Sequence, residues 1–388
     1  MNNHPKYFIF AGEPSGDLHG SHLIDSLKKN APPVTIYGVG GPAMRAQGIH
    51  CIYQMEDFQV MGFSDVLKSF PKLYTLFYKV LNAILLRQPD CVILIDYPGF
   101  NLRLAKKLRK KGFKGKIVQY ISPSVWAHGK KRIDLMVQNL DLLLTIFPFE
   151  EAYFSHTSLM TKYVGNPLIE NIRSYSYNPN WIQKMGLPIT ENIVGIFPGS
   201  RIGEIERNLP LQLEAAELLK GKHSDIVYAL SYAQDSLLPA IYKALEKSSL
   251  VINKDIYLVP SKFNYELMKS CRTALAKGGT ITLELALHHC PSVVVYKVTK
   301  LNYLIAKYIL KLNLPYYCIV NIIANEEVYP ELIDKDISVD LLYKKLEKLL
   351  VDESLRKRVI GKCIEVENYL GQQQASHEAM SAITGLLK

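Results

Sequence analysis

Two short turns in the second half of the chain combine residue types that bind phosphate. The first contains Gly199, Ser200 and Arg201, and the second contains Gly279 and Thr280. Each turn follows a strand-like segment and precedes a helical pattern, and a helix N-terminus attracts phosphate through its free backbone N–H groups and about half a positive charge. The guanidinium of Arg201 can bind two phosphate oxygens at once. Either turn alone is typical of an ordinary strand-to-helix connection, but together they predict a pocket for a nucleotide diphosphate.

Three acidic residues near predicted strand ends in the first half are candidate general bases. Glu13 and Asp17 flank the turn after the first strand, and Asp96 follows the apolar strand at residues 92–95. A carboxylate at the carboxyl end of a parallel strand lies where ligands bind and can accept a proton from a hydroxyl group. Asp17 has a second interpretation as a helix N-cap, and Asp96 could bond only to a neighbouring loop. The competing interpretation is strong for Asp17 and weaker for Asp96.

The elements that must position these residues alternate between strand and helix patterns in both halves. Predicted strands cover residues 7–11, 34–39, 91–95, 116–121, 141–147, 192–197, 225–230, 255–259, 273–276 and 292–296. This alternation predicts an α/β fold of parallel sheets with right-handed crossovers, arranged as two facing, doubly wound, Rossmann-like domains. We place them at residues 1–168 and 169–388, with helices from about residue 341 that could pack across domains or subunits. The cleft between the domains is the expected site.

Composition restricts the classes of protein and partner. The chain has 388 residues, 48% of them hydrophobic, and its 46 Lys and Arg against 36 Asp and Glu give a net charge of +10. This balance favours anionic partners such as phosphorylated substrates, a membrane surface or nucleic acid. No apolar run reaches the ~18 residues of a transmembrane helix, and the polar start argues against a signal peptide. The six scattered cysteines predict reduced thiols in a cytoplasmic protein.

Several common sites do not fit the sequence. The glycines at 38, 40 and 41 lack the third glycine and the later acidic residue of a dinucleotide fingerprint. There is no Ser-His-Asp order and no Asp-x-Asp pair, and we expect neither a metal nor a cofactor. No nucleic-acid-binding motif accompanies the basic residues, so we expect no nucleic-acid partner.

Two stretches have the character of a membrane-surface helix. Residues 61–86 mix aromatic and aliphatic residues with lysines, and residues 300–311 repeat that character. Such a helix can lie in a membrane interface, although most helices of this kind pack on a sheet. The candidates for contact with a membrane or a lipid acceptor in the first stretch are Met61, Phe63, Phe70, Leu73 and Phe77.

Short sequence motifs, spread over nearly the whole chain, match one family. They are Ala11-Gly12-Glu13-Pro14-Ser15-Gly16-Asp17, Gly38-Val39-Gly40-Gly41-Pro42-Ala43-Met44, Val60-Met61-Gly62-Phe63, Ile95-Asp96-Tyr97-Pro98-Gly99-Phe100-Asn101, Tyr120-Ile121-Ser122-Pro123-Ser124-Val125-Trp126-Ala127, Phe147-Pro148-Phe149-Glu150, Val164-Gly165-Asn166-Pro167, Pro198-Gly199-Ser200-Arg201, Gly279-Thr280 with Glu284, and Asn321 followed by Pro330-Glu331-Leu332. With these runs, of which residues 122–127 are the most specific, the chain resembles the lipid-A-disaccharide synthases. These are inverting glycosyltransferases with two facing doubly wound domains, the GT-B type.

The resemblance implies a reaction, partners and roles for residues. The implied reaction joins UDP-2,3-diacylglucosamine to 2,3-diacylglucosamine 1-phosphate through a β-1,6 bond and releases UDP, at the cytoplasmic face of a Gram-negative inner membrane. By position, Asp96 matches the family's proposed base, Arg201 and Asn321 match residues tied to activity and the nucleotide, and Glu284 matches a ribose ligand. Acceptor or membrane contacts fall to Ser122, Trp126 and Arg132, and a homodimer is a further possibility.

Some positions depart from the family, and alternatives remain. The departures concern the residues at Gly99, His128, Gly129, Asn166 and Val320. One alternative is another enzyme of the same fold, such as a UDP-sugar epimerase or a transferase with a different lipid acceptor. Another is a non-catalytic protein whose basic faces bind a membrane or nucleic acid, for which the acids and arginine named above would be dispensable.

Overall fold

The chain folds into two compact units in a computed structural model. The structure describes residues 4–31, 33–58, 63–126, 131–299, 314–334 and 337–388, with only the backbone described for residues 63–70 and 131. The first unit comprises Met1–Glu170 and Leu370–Lys388, and the second comprises Asn171–Tyr369. The boundary predicted after residue 168 lies close to the observed one. Residues 370–388, which the prediction assigned to the second domain, belong to the first unit.

Parallel strands form one sheet in each unit. They are β1 (Lys6–Ala11), β2 (Thr35–Gly40), β3 (His50–Gln54), β4 (Cys91–Ile95), β5 (Lys116–Tyr120), β6 (Leu142–Thr145), β7 (Thr161–Tyr163), β8 (Ile193–Phe197), β9 (Val227–Tyr232), β10 (Ile256–Pro260), β11 (Thr273–Lys277), β12 (Ser292–Tyr296) and β13 (Glu331–Ile333). The described strands of the first unit have the order β3-β2-β1-β4-β5-β6-β7, and those of the second have the order β10-β9-β8-β11-β12-β13.

Helices connect these strands. They are α1 (Pro14–Asn30), α2 (Pro42–Ala46), α3 (Phe63–Arg87), α4 (Pro98–Lys110), α5 (Lys131–Asn139), α6 (Pro148–Phe154), α7 (Pro167–Ser174), α8 (Trp181–Lys184), α9 (Ile202–Lys222), α10 (Leu238–Leu245), α11 (Asn264–Ser270), α12 (Thr280–Leu287), α13 (Ile319–Ala324), α14 (Val339–Val351), α15 (Glu353–Tyr369) and α16 (Ala375–Gly385). Helix α16 packs on α1, which ties the end of the chain to the first unit.

Each sheet reverses its winding direction beside its first strand. The reversal lies between β1 and β4 in the first unit and between β8 and β11 in the second. This is the doubly wound topology predicted from the sequence, and ligands bind at the carboxyl ends of the strands at such a switch point. The topology therefore brings Glu13 and Asp96 to one switch point, and the two glycine turns to the other.

The strands absent from the sequence prediction are β3, β7 and β13. Their residues are mostly half-buried, whereas β4 and β8 are buried along their whole length. Each lies at an edge of its sheet. An edge strand needs no continuous apolar run, and such a run was the signal used for the other strands.

Helix α3 occupies most of the stretch suggested as a membrane contact. Leu73 and Phe77 are partly buried and pack against the core of the first unit, as a helix on a sheet does. Leu86 and Tyr74 are 84% and 57% exposed. Met61, the side chains of Phe63 and Phe70, and the stretch 300–311 lie outside the described residues. Among the described helices, none has the length and apolar character needed to cross a membrane.

Candidate functional site

A pocket of about 350 Å³ lies at the switch point of the second unit. Both glycine turns predicted to bind phosphate contribute to its walls. The lining residues are Gly199, Ser200, Arg201, Glu204, Ser231, Ala233, Asn264, Lys277, Gly279, Thr280, Ile281 and Glu284. The structure thus brings together all but one of the residues predicted to bind the nucleotide.

The first turn depends on a glycine. Gly199 has φ +117°, and a Cβ there would lie 2.8 Å from the Cβ of Glu204. This conformation lets the chain turn from β8 into α9, whose N-cap is Arg201. The backbone N–H of Ser200 donates to Glu204 Oε2 at 3.0 Å. The first turn of α9 therefore closes back on the loop and fixes its backbone.

The second turn leads from β11 into α12. Gly279 is the N-cap residue of this helix and has an extended backbone, and a Cβ there would lie 3.7 Å from Lys277 Nζ. A Cβ at Gly278 would lie 2.7 Å from the Tyr296 ring, so glycine is required there for packing. The Thr282 hydroxyl donates to the Gly279 carbonyl at 2.8 Å. Gly279, Thr280 and Ile281 at the start of α12 line the pocket.

Charged groups lie beside the two glycine turns of the pocket. Lys277 Nζ lies 3.1 Å from Glu204 Oε1, and Arg201 lies 3.8 Å from the same oxygen. Burial disfavours the ionised carboxylate of Glu204, but Lys277, the Ser200 N–H and Arg201 outweigh it and lower the pKa of Glu204. Glu204 is therefore ionised, and one carboxylate faces two cations.

Glu284 lies within α12 and is partly buried. Burial raises its pKa to about 7, although a hydrogen bond from Tyr265 opposes the shift. The ring of Tyr265 packs against His288 with 4.8 Å between ring centroids, and His288 Nδ1 lies 2.7 Å from the Glu284 carbonyl oxygen. The bond from Tyr265 thus holds this carboxyl group at the pocket wall, and His288 packs behind that ring.

Asn321, which the resemblance connects with the nucleotide, is not among the residues that line the pocket. It is fully buried in α13. Its side-chain oxygen accepts the backbone N–H groups of Val328 and Tyr329, each at 2.9 Å, and its amide donates to the Tyr329 carbonyl at 2.8 Å. These bonds give the side chain a structural task, holding the chain that leads into β13.

In the first unit, Asp96 has the position expected of a base. It follows β4 directly, and both Asp96 and Tyr97 have positive φ angles, of 49° and 43°. The side chains of Asn101 and Gln119 donate to the Asp96 carbonyl at 2.6 and 2.9 Å and hold this unusual backbone. The Ser15 hydroxyl donates to the carboxylate at 3.4 Å. Burial raises the pKa of Asp96, although the hydrogen bonds from Tyr97 N–H and Ser15 oppose this shift.

Glu13 remains a second candidate for the base. It is the N-cap residue of α1, and its side chain is exposed. Burial and then the negative charge of Glu13 raise the pKa of Tyr97, the residue after Asp96. Glu13 and Asp96 thus flank the same switch point.

The structure places Asp17 inside α1, not at the N-cap position that the sequence suggested. Helix α1 begins at Pro14, a residue favoured in the first turn, so Asp17 lies inside it and cannot be its N-cap. Its side chain is 3% exposed. The backbone N–H groups of Gly41, Ala43 and Met44 donate to its carboxylate at 2.7, 2.8 and 3.1 Å. Asp17 therefore caps the neighbouring helix α2, and this geometry argues against a role as base.

We expect Asp17→Asn to destabilise the first unit without changing turnover per folded molecule. The amide presents an NH₂ group to a backbone N–H and removes charge-assisted bonds, which should lower the free energy of unfolding by about 3 kcal/mol. Urea unfolding measures the loss. Asp25→Asn on the exposed side of α1 is the control, and full stability with lost turnover would instead make Asp17 a catalytic group.

Of the predicted acceptor contacts, Trp126 forms part of a buried cluster. Its Nε1 donates to Glu150 at 3.2 Å, and its ring meets Phe149 edge-on with 5.3 Å between centroids. Glu150 is 1% exposed, and burial raises its pKa to about 7. Ser122 is buried and bonds to its neighbouring carbonyl, and Arg132 is half-buried near the start of α5. Glu150 thus supports Trp126 from below the surface.

We expect Glu150→Gln to flatten the pH dependence of stability. Because the pKa of Glu150 is raised from 4.5 to about 7 on folding, the native state binds the proton more tightly. Its contribution is therefore present at low pH and is lost, by about 3 kcal/mol, as pH rises toward 7. Unfolding free energies of wild type and variant from pH 4 to 8 measure this. The exposed control Glu191→Gln should show the same pH dependence of stability as wild type. If Glu150→Gln also showed the wild-type dependence, the pKa of Glu150 would not be raised on folding.

Comparisons with known proteins give the family. A family model described as lipid-A-disaccharide synthetase matches residues 7–384. The chain belongs to the lipid-A-disaccharide synthase family. It is 44% identical to the Chlamydia pneumoniae lipid-A-disaccharide synthase over 84% of this chain and 53% of that protein. It is 33% identical to the Anaeromyxobacter dehalogenans synthase over 98% of this chain and 97% of that one.

Two further facts qualify these relationships. The chain spans between half and two thirds of the length of its Chlamydia relatives, since it covers 62% of the Chlamydia trachomatis protein at 39% identity. Solved structures support the fold alone. A UDP-GlcNAc 2-epimerase from Neisseria meningitidis gives a TM-score of 0.59 at 11% identity, over 98% of this chain and 99% of that one. A sucrose-phosphate synthase from Thermosynechococcus elongatus gives a TM-score of 0.59 at 12% identity, over 99% of each chain.

The structure adds pocket residues to those predicted for this family member. Glu204 and Lys277 bring charge, and the Ser231 hydroxyl donates to Asn264 at 2.5 Å on the same wall. Ser231 lies at the carboxyl end of β9, which pairs with β8, so the rule that ligands bind at carboxyl ends of strands could have found it. Glu204 and Lys277 lie next to the predicted turns, in α9 and β11, but resemble ordinary surface charges in sequence.

Proposed function

We propose that the chain joins UDP-2,3-diacylglucosamine to 2,3-diacylglucosamine 1-phosphate, giving a β-1,6-linked disaccharide 1-phosphate and UDP. Membership of the lipid-A-disaccharide synthase family supports this reaction. The observation that carries the proposal is the pocket of the second unit, where two glycine turns open at the starts of α9 and α12. Its size and chemistry suit a nucleotide diphosphate.

Each wall of the pocket has a proposed task in binding the donor. The backbone N–H groups around Ser200 and Thr280 and the guanidinium of Arg201 bind the diphosphate. Glu284 accepts hydrogen bonds from the ribose hydroxyls, a task that suits a carboxyl group held by Tyr265. Pre-organised donors of this kind stabilise the charge that develops on the leaving diphosphate, and we propose that no metal is needed.

The first unit supplies the proposed base. Asp96 takes the proton from the acceptor's 6-hydroxyl group, whose oxygen attacks the anomeric carbon of the donor. The bond from that carbon to the diphosphate oxygen breaks, and its electron pair leaves with UDP. A single displacement inverts the α-linked donor to a β-linked product. The raised pKa of Asp96 makes it a stronger base than an ordinary aspartate.

Both proposed substrates carry acyl chains, so we propose that the protein works at the cytoplasmic face of the inner membrane. Its net charge of +10 favours an anionic surface. Exposed Tyr74 and Leu86 on α3 offer apolar contact. We expect no nucleic-acid partner.

The test is release of UDP from UDP-2,3-diacylglucosamine by the purified protein in detergent, with EDTA present throughout. Release that requires 2,3-diacylglucosamine 1-phosphate and survives EDTA is the expected result. UDP binding without release would keep the nucleotide pocket and point to another sugar or acceptor. Activity that EDTA abolishes would overturn the metal-independent mechanism.

A further inference from the structure

Lys277 holds its ammonium group beside the two glycine turns that line the pocket. It is the last residue of β11, and its side chain is 18% exposed. Its Nζ lies 5.1 Å from the centroid of the Tyr296 ring. A Cβ at Gly279, the N-cap residue of α12, would lie 3.7 Å from the same nitrogen. The ammonium group is therefore held at the start of a helix.

This placement is electrostatically unusual. Helix N-termini carry partial positive charge, so a cation beside one is disfavoured unless an anion is near. Glu204, in the first turn of α9, supplies one negative charge at 3.1 Å from Lys277. Arg201 lies 3.8 Å from the same carboxylate, and the starts of α9 and α12 line the same pocket. The positive groups outnumber this internal anion, so the pocket favours a further anion.

We propose that Lys277 binds the diphosphate of the nucleotide and neutralises the charge that it acquires as the leaving group. The inference rests on the proposed function and extends it to a residue outside the turns themselves. As the bond between the anomeric carbon and the diphosphate breaks, its electron pair passes to the β-phosphate oxygen. The Lys277 ammonium donates a hydrogen bond to that phosphate and keeps its proton, so charge and atoms balance without another reactant.

Lys277 suits this task better than Arg201 does. The side chain of Arg201 is 83% exposed, whereas Lys277 is fixed between Glu204 and the Tyr296 ring. A cation that is already positioned and partly desolvated interacts more strongly with an incoming anion and loses less conformational freedom. Glu204 keeps the ammonium group pointed at the pocket while the nucleotide is absent.

The experiment compares UDP with uridine, which lacks the phosphates, by calorimetric titration. Lys277→Met should weaken UDP binding about 10- to 100-fold, since it removes a charge-assisted contact and leaves the Glu204 carboxylate facing the diphosphate. Uridine binding should change less than about 2-fold, and Lys277→Arg should retain most UDP affinity. Lys247→Gln, on the exposed surface of the same unit, controls for net charge.

A double variant keeps the test decisive if Lys277→Met folds poorly. Lys277→Met with Glu204→Gln removes both charges and should bind UDP more tightly than the single variant, though less tightly than wild type. Equal losses for UDP and uridine, or no loss, would overturn the inference and leave the proposed function standing. Selective loss of UDP binding in a protein that transfers no diacylglucosamine would support Lys277 and overturn the reaction, and a wild type that binds no UDP would overturn both.

Discussion

Asp96→Asn should lower turnover by about 10²–10⁴-fold, the usual contribution of a general base. The amide cannot accept the proton of the attacking hydroxyl, yet it has nearly the same shape. The backbone that positions it is held by Asn101 and Gln119 through the Asp96 carbonyl, not through the carboxylate. UDP affinity should stay near the wild-type value because the nucleotide pocket is built from the second unit. Acceptor-dependent release of UDP and calorimetry with UDP measure the two quantities.

The pH dependence and two controls sharpen this result. The base must be ionised, so turnover of wild type should fall as pH drops through the pKa of Asp96, which burial raises above its ordinary value. Asp134→Asn, an exposed substitution of the same kind, should leave turnover unchanged. If Asp96→Asn turned over like wild type while Glu13→Gln did not, Glu13 would be the base. Loss of UDP binding in Asp96→Asn would show a role other than proton transfer.

Central strands could be predicted from the sequence because a strand that is buried on both faces needs a continuous apolar run. β4 was predicted with its observed bounds, and β8 to within one residue. The edge strands β3, β7 and β13 gave no such signal. The return of α16 to the first unit depends on contacts distant in sequence, such as those with α1, and nothing local in residues 370–388 shows them.

The candidate site was predictable where backbone chemistry sets the residue type. Gly199 and Gly279 were found because turns into helices favour glycine, and Asp96 because it follows a buried strand. Asp17 fits the same pattern, but its carboxylate is taken up by a neighbouring helix that is 24 to 27 residues away in sequence. Asn321 likewise serves backbone groups. Only the three-dimensional arrangement separates such structural polar residues from those that face a ligand.

Gly199→Ala should weaken UDP binding by about 10- to 100-fold, or about 1.4–2.8 kcal/mol. At φ +117° any side chain strains the backbone, and such strain costs about 1–3 kcal/mol. The new Cβ would also meet the Cβ of Glu204 at 2.8 Å, pushing away the carboxylate that accepts the Ser200 N–H and pairs with Lys277. One methyl group thus disturbs the turn, its cap and the lysine together. Calorimetry with UDP measures the effect.

Two other glycines serve as matched controls for this substitution. Gly221 lies near the end of α9 with nothing within 4 Å of a built Cβ, so Gly221→Ala should bind UDP normally and gain up to about 1 kcal/mol of stability. Gly279→Ala should fold normally because its backbone is extended and the new Cβ would meet Lys277 Nζ at 3.7 Å, an ordinary contact distance. Its UDP affinity therefore reports how closely phosphate approaches the start of α12. Wild-type UDP binding by Gly199→Ala would remove the first turn from the proposed diphosphate site.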